Sequence, residues 1–146
     1  MMPNLPVNVW GRVVTLDITT LTAVVQRLQS GYARCVLHPD DDQLRDGVIQ
    51  RFEYTYELSH KLLKRYLMNV VANPDTLHTM AFQDVIRLGY AQGLLHESWP
   101  EWRMYREMRA KTSHTYDLAV AVSFMEAIPQ FIDAVTFLQA QLVSRI

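Results

Sequence analysis

The sequence contains a single cysteine, Cys35. One thiol cannot form an internal disulfide or supply a cysteine cluster for a metal ion, and this usage fits a reducing compartment. The N-terminal segment MMPNLPVNVWGR has no basic region ahead of a sustained apolar run, so it is not predicted to be a secretion signal. No stretch approaches the roughly 20 consecutive apolar residues that cross a bilayer. We therefore expect a soluble, cytoplasmic protein without a membrane partner.

An excess of charge of one sign is also missing. Lys and Arg number 14 and Asp and Glu number 15, for a formal net charge of -1. The surface as a whole therefore does not attract nucleic acid, and any RNA contact would need a local basic patch. With 146 residues, of which 49% are hydrophobic and 20% charged, the chain can bury a core of its own. We predict one domain over residues 1–146, in which residues 1–15 form a flexible N-terminal extension.

Apolar residues recur at intervals of three and four along most of the chain, which predicts α-helices rather than strands. A first helix includes Leu21 and is predicted to stop near Gly31. The aspartates of HPDDDQ, residues 38–43, favour the start of a second helix. That helix is long and is predicted to end near Asn73-Pro74, because proline disfavours helical geometry in the residue before it.

The second half of the chain continues this pattern. A third helix spans about Phe82 to Tyr90 and is closed by Gly89 or Gly93. A short fourth helix runs from about Pro100 to Arg109, and a last helix starts near Tyr116. No alternating apolar pattern of useful length indicates a strand. The sequence therefore predicts an all-α, up-and-down bundle of about five helices.

The residues that could carry chemistry are concentrated in RAKTSHTYD, which begins at Arg109. Arginine keeps its charge at any working pH and presents a planar fork of donors that matches phosphate oxygens. His114 can accept a proton in one step and return it in the next, because imidazole titrates at about pH 6.5. The hydroxyl groups of Thr112 and Ser113 and the phenol of Tyr116 lie beside them. Together these groups could hold a phosphodiester and move protons around it.

The same segment also has a purely structural explanation. Arg109 would end one helix favourably, Ser113 or Thr115 would cap the next, and His114 would be an ordinary surface residue. Short motifs match by chance often enough that spacing alone leaves both explanations open.

Two further features of the second helix have structural explanations. Glu57 and His60 form a Glu-x-x-His pair, which di-iron bundles use twice, but no second copy occurs, and no metal site is predicted. A helix-surface ion pair between Glu57 and Lys61 explains the glutamate more simply. Four aromatic residues could stack on bases, but at helical spacing they are more typical of a core: Phe52, Tyr54, Tyr56 and Tyr66.

Three segments, in this order, resemble the nucleotidyltransferase substrate-binding proteins, a branch of the HEPN superfamily. They are DGVIQRFEYTYELSHKLLKRYL (46–67), FQDVIRLGYAQGLL (82–95) and, after Trp99, RAKTSHTYD (109–117). The resemblance covers the chain from Asp46 to its end, and the first 45 residues match only as a generic helix. It implies a helical bundle that forms a homodimer and is encoded with a small nucleotidyltransferase of the MNT type.

The resemblance also implies roles for single residues. In related HEPN toxins an Arg-x-x-x-x-His pair forms a metal-independent ribonuclease site at the dimer cleft, and its counterpart here is Arg109 and His114. In HEPN/MNT toxin–antitoxin members the partner adds AMP to a tyrosine two residues further on, here Tyr116, which silences the nuclease. No metal or other cofactor is implied. The chain departs from the family at Ala110, where Asn, Asp or His is usual, and at His60, where an aromatic residue is more frequent.

A working ribonuclease site would use these residue types in a definite way. The 2′-hydroxyl of RNA would be the nucleophile, since no metal ligands converge. His114 would exchange a proton with the 2′-oxygen or the leaving 5′-oxygen, while Arg109 and Lys111 would stabilise charge on the phosphoryl oxygens. Contacts to substrate or nucleotide are expected from four residues: Lys111, Thr112, Ser113 and Tyr116.

Two hypotheses of different classes follow, and the sequence leaves both open. In the first, the chain is a binding subunit that presents a substrate, or its own Tyr116, to the nucleotidyltransferase. In the second, it is a ribonuclease toxin that this partner neutralises. Ala110 favours the first, because alanine removes a polar side chain from the motif. A bundle with an inert motif is the weaker third option.

Overall fold

The computed structural model of the chain describes residues 18–145. Within that range the chain forms six α-helices and one 3₁₀ turn, and no strand. The elements are α1 (Ile18–Leu37), α2 (Asp42–Val70), α3 (Asp75–His78), α4 (Phe82–Ala91), α5 (Trp99–Ala110), the 3₁₀ turn (Thr112–His114) and α6 (Leu118–Ser144). The predicted all-α class is confirmed, while the extension predicted at residues 1–15 lies outside the described residues. The single-turn α3 was not predicted, because four residues are too few to show a periodicity.

The first helix extends further than predicted. α1 passes through Gly31 and ends at Leu37, so the expected stop at Gly31 is wrong. A Cβ atom added at Gly31 would lie 2.9 Å from Nη1 of Arg51 on α2. That same nitrogen donates a hydrogen bond to the carbonyl oxygen of Arg27, at 2.6 Å. The glycine therefore allows a close approach between α1 and α2 rather than ending a helix.

The start of α2 follows the prediction and its end comes slightly earlier. Asp41 is the N-cap, and its Oδ1 accepts a hydrogen bond from the backbone N–H of Leu44 at 3.1 Å, which satisfies one of the free donors of the first turn. The helix ends at Val70, and Val71 already has an extended backbone. Pro74 lies further on and begins the turn that leads into α3.

A glycine closes α4. The helix ends at Ala91, and Gly93 follows with a φ of 75°, a left-handed conformation that glycine adopts without steric cost. The other candidate, Gly89, lies buried inside the helix, where an added Cβ would be 3.0 Å from Cδ1 of Leu63. Of the two glycines predicted to close this helix, Gly93 is therefore the one past its end.

The centre of the core is a cluster of aromatic rings from α2, α5 and α6. The ring of Phe52 lies 4.5 Å from that of Phe131 and 4.9 Å from that of Phe124, centroid to centroid. Tyr105 of α5 approaches Phe131 at 5.1 Å, and these edge-to-face pairs each contribute about 0.5–1.5 kcal/mol beyond area burial. Because Phe52 is 0% and Tyr56 7% exposed, the predicted core role of the aromatic stripe is confirmed for both residues.

Among residues 18–145, α6 is the one helix long and apolar enough to cross a membrane by length and composition alone. Helices of water-soluble cores meet the same criteria. Glu126 and Asp133 interrupt the apolar sequence of α6, and one of its faces packs against α1 and α2. Five side chains carry most of that buried face: Phe124, Ile128, Phe131, Val135 and Leu138. This packing is the structural role of a core helix.

Candidate functional site

The segment Arg109–Asp117, which we call the motif loop, joins α5 to α6. Arg109 lies in the last turn of α5, where a cation is favourable, and residues 112–114 form the 3₁₀ turn. The N-cap of α6 is Asp117, whose Oδ1 accepts a hydrogen bond from the N–H of Ala119 at 2.9 Å. The predicted caps, Ser113 and Thr115, are therefore wrong. A carboxylate one residue before the helix reaches the free N–H groups of the first turn, and these hydroxyls lie too far upstream.

Arg109 is held by two carboxylates of α2. Its Nε and Nη2 both donate to Oε1 of Glu57, at 3.1 and 2.5 Å, and Nη2 lies 3.3 Å from Oε1 of Glu53. Its Nη1 donates to Oγ1 of Thr112 at 3.3 Å. The predicted ion pair between Glu57 and Lys61 is therefore wrong, since the carboxylate is directed at α5.

These contacts keep Arg109 charged and engage all of its nitrogen atoms. The hydrogen bond from Glu57 raises the pKa of Arg109, burial opposes this, and the charges of Glu53 and Glu57 raise it further. One positive and two negative charges give the cluster a net charge of -1. A phosphate approaching Arg109 would have to displace a carboxylate, because the two glutamates already occupy the N–H groups that would bind the phosphate oxygens. In this state Arg109 fastens the motif loop to α2.

His114 and Tyr116 stand at the surface. Both side chains are exposed, Tyr116 by 87%, and their ring centroids lie 6.4 Å apart. A cleft of about 320 Å³ beside them is lined from the motif loop and from α2, though not by Arg109 or His114. Its polar lining includes Asp46, Glu53, Thr112, Ser113, Thr115 and Tyr116. The structure thus places Thr112, Ser113 and Tyr116 in one cleft.

Lys111 lies apart from that cleft. It lines a separate cavity of about 400 Å³ between α5 and α6, together with Met104, Met108 and Phe124. Apolar walls of this kind suit the methylene stem of a lysine, whose charged end remains in water. Lys111 and Ser113 were expected to contact one ligand together, and in this structure they line different cavities.

The phenol of Tyr56, on the α2 side of the site, is not acidic enough to donate a proton near neutral pH. Tyr56 precedes Glu57 and is buried, and this burial raises the pKa of its phenol to about 12, against the lowering effect of Arg106 and Arg109. Among residues 18–145 no group of three His, Cys, Asp or Glu side chains could hold a metal ion. Glu57 faces Arg109 and His60 faces the ring of Phe82, so the two members of the Glu-x-x-His pair serve different contacts.

Sequence reasoning missed the role of Glu53 and Glu57. Their spacing of four residues places them on one face of α2, which was a usable signal of a shared contact. Their partner, however, lies 52 residues beyond Glu57 in the chain. Only the packing of α5 on α2 brings the three side chains together.

Comparisons with known proteins agree with this fold. A family model described as nucleotidyltransferase substrate binding protein like matches residues 16–144. A Haemophilus influenzae protein named probable ribonuclease HepT is 39% identical over 104 residues, which cover 71% of this chain and 70% of that protein. A solved structure from Haemophilus influenzae, described as the fold of a substrate binding domain of a nucleotidyltransferase, has a TM-score of 0.81 and 32% identity, covering 86% of this chain and 98% of that chain. The family match begins before α1, so it extends beyond the region from Asp46 that the three segments indicated.

The contact between Glu57 and Arg109 can be measured with a double-mutant cycle. We expect Glu57→Gln and Arg109→Gln to show a coupling energy of about 0.5–1 kcal/mol, the range of partly exposed ion pairs. The coupling should shrink in about 1 M NaCl, where charges are screened within a few ångströms. Urea unfolding followed by circular dichroism gives the four free energies of unfolding.

The matched control is the cycle of Arg103 and Glu107 on the exposed side of α5, whose side chains are 67% and 59% exposed. Its coupling should be smaller, because both partners are well solvated. A Glu57–Arg109 coupling of zero at low salt would show that the contact is not maintained in solution, and equal couplings in the two cycles would show that it is no stronger than an exposed ion pair.

Proposed function

Because the chain belongs to the nucleotidyltransferase substrate binding protein like family, we propose that it is the partner- and substrate-binding subunit of a small MNT-type nucleotidyltransferase in the cytoplasm. The observation that carries this proposal is the state of the motif loop. Arg109 is neutralised by two glutamates, whereas Tyr116 is 87% exposed. The loop therefore suits a surface presented to an enzyme better than it suits a nuclease centre.

Electrostatics favours binding over catalysis at this loop. Phosphoryl transfer needs positive charge on the phosphoryl oxygens in the transition state. Here the guanidinium of Arg109 is already paired with the carboxylates of Glu53 and Glu57. Asp46 adds a further carboxylate to the adjoining cleft. This acidic surrounding repels a phosphodiester. Ala110 supplies no polar side chain to offset it.

Tyr116 is the group that the subunit would present. Its phenol oxygen would attack the α-phosphorus of ATP, forming an O–P bond while the bond to the pyrophosphate breaks, and the phenol proton would pass to a base of the partner. Pyrophosphate then leaves. The partner would also supply the metal ion that this step requires. The added AMP would place negative charge and bulk beside the cleft.

A ribonuclease is the second candidate function. It is supported by the intact pair of Arg109 and His114 and by the relative, 39% identical, that is named probable ribonuclease HepT. If Glu57 were displaced, Arg109 would be free to contact phosphoryl oxygens, and the exposed His114 could exchange a proton with the 2′-oxygen. The added AMP would then act as an inhibitor of that reaction.

We also propose that the subunit is a homodimer. Apolar side chains remain exposed where α6 begins, at Leu118 (62%) and Val122 (46%), and where α1 ends, at Val36 (56%) and Leu37 (75%). A groove of about 260 Å³ lies between these two helices. Neighbouring exposed apolar residues of this kind favour burial by a second copy of the chain. Such a dimer would bring two motif loops close to one interface.

The first prediction of the proposed function concerns Tyr116. Co-expression with the nucleotidyltransferase encoded beside this chain should add about 329 Da per AMP, the mass of a transferred phosphoryl-nucleoside. Intact-mass and peptide spectra should place the adduct on Tyr116, and Tyr116→Phe should remove it. Tyr90→Phe is the matched control, because Tyr90 is also exposed, by 51%. An adduct that persists in Tyr116→Phe would refute the modification, and the pair would then associate by binding alone.

The second prediction separates binding from ribonuclease activity. With EDTA present, the isolated chain should cut single-stranded RNA slowly or not at all, and Glu57→Gln should increase cutting by freeing Arg109. Ala110→Asn should increase it as well, and His114→Ala should abolish any cutting. Glu107→Gln removes a carboxylate that does not contact Arg109 and should have no effect. If all variants are inert on varied RNAs, the ribonuclease candidate fails and the binding subunit remains.

The third prediction concerns assembly. Light scattering at micromolar concentration should give twice the mass of one chain, and Val122→Glu should shift the protein to the monomer by burying a charge at the interface. Val143→Glu is the control, because Val143 is 52% exposed at the far end of the same helix. A monomeric wild type would contradict the dimer, and dissociation by Val143→Glu would place its interface elsewhere.

A further inference from the structure

Acidic and basic residues follow one another near the middle of α2. Glu53 and Glu57 both contact Arg109. Three cations follow them within five residues: Lys61, Lys64 and Arg65. The two glutamates are therefore paired with α5, and the cations lie beyond that contact along the helix.

Three helices meet around one aromatic ring at this boundary. The ring of His60 on α2 lies 4.4 Å from that of Phe82 on α4, at an interplanar angle of 83°. Trp99 of α5 approaches Phe82 at 5.8 Å, and Cζ of Arg106 lies 5.7 Å from its centroid. The ring thus positions an imidazole and a guanidinium beside each other, the latter through a cation–π contact.

The cations at this place lack carboxylate partners. Arg103, one turn earlier on α5, pairs with Glu107 at 3.3 Å, but neither Lys64 nor Arg106 forms an ion pair within residues 18–145. Burial, then Lys64, then Arg106 lower the pKa of His60. Lys64 follows His60 by one helical turn on α2, and Arg106 contacts the same ring as His60, so the imidazole can offer an N–H donor near two cations without a carboxylate partner.

We propose that Lys64, His60 and Arg106 bind a phosphate group of a nucleotide, either free or within an RNA strand. The guanidinium of Arg106 supplies a planar fork for two phosphate oxygens, Lys64 supplies a point charge, and His60 supplies a donor. Lys64 and Arg106, which form no ion pair among residues 18–145, give the site two positive charges although the chain as a whole has no excess of them. It is the local basic patch that a contact with nucleic acid requires.

The position of the site connects it to the motif loop. Arg106 precedes Arg109 by one helical turn, a spacing that leaves about 5–6 Å between Cβ atoms on one face. A ligand held at Arg106 therefore lies next to the contact between Arg109 and Glu57, where its negative charge would compete with the carboxylate. The inference goes beyond the proposed function, because it needs neither the partner nor the modification of Tyr116.

The test uses the isolated full-length chain and three probes: inorganic phosphate, ADP and a fluorescein-labelled oligoribonucleotide. Fluorescence anisotropy and NMR titration at low salt give the affinities. Arg106→Gln and Lys64→Gln should each weaken binding of ADP or of the oligonucleotide about tenfold, as expected for the loss of one charge-assisted hydrogen bond. Far-UV circular dichroism verifies that both variants remain folded.

A second measurement reports on the site itself. The ring protons of His60, assigned by their loss in His60→Gln, should shift on binding, and the pKa of His60 should rise because a bound phosphate stabilises the imidazolium. Arg103→Gln is the matched control, since it removes the same charge from the preceding turn of α5 and should change the affinity by less than about twofold. These measurements use the isolated chain, to which no AMP has been added, so failure of the modification of Tyr116 and failure of this site are distinguishable.

Each outcome decides the proposal. Binding of ADP and of the oligonucleotide, both weakened by the two variants, supports a site for the phosphate group, and binding of the oligonucleotide alone assigns the site to an RNA strand. If neither binds, or if Arg103→Gln weakens binding as much as Arg106→Gln, the site is wrong. If the two variants leave probe binding unchanged but weaken association with the nucleotidyltransferase, these cations contact an acidic protein surface and the proposal is overturned.

Discussion

The edge-to-face packing of Phe52 against Phe124 and Phe131 sets the rotation of α2 relative to α6. Since a helix turns by about 100° per residue, placing Phe52 in the core also decides which side chains of α2 face α5. Glu53 and Glu57 lie one and five residues further along, on the edge of that buried face. The contact with Arg109 is therefore a consequence of how the aromatic core is packed, and the geometry of the motif loop depends on it.

Along α5 two arginines one turn apart have different electrical environments. Arg109 pairs with two carboxylates, while Arg106 lies over Phe82 and forms no ion pair among residues 18–145. Of these two arginines, the one without a carboxylate partner is therefore Arg106, one helical turn before the motif loop. A ligand or partner that drew Glu57 away from Arg109 would free this guanidinium for another contact, because Glu57 accepts two of its hydrogen bonds.

Local patterns predicted most of the fold correctly. The 3.6-residue periodicity located the longer helices, and the aspartates of residues 38–43 correctly indicated the start of α2, because both signals are local to the chain. The errors share one cause. Gly31 lies inside α1 because Arg51 approaches it from α2, and Glu57 is paired with Arg109 of α5 instead of Lys61. In each case a contact between helices overrode a local preference.

The sequence by itself determined the helical class, the family resemblance and the residue types of the motif loop, because periodicity, caps and motif order are local properties of the chain. Only the tertiary structure decided what those residues contact. It separated Lys111 from Ser113, exposed Tyr116, and brought Glu57 to Arg109 across 52 residues. The physical reason is that electrostatic and packing energies depend on distance in space, and the spacing of residues in a helix fixes that distance only within one element.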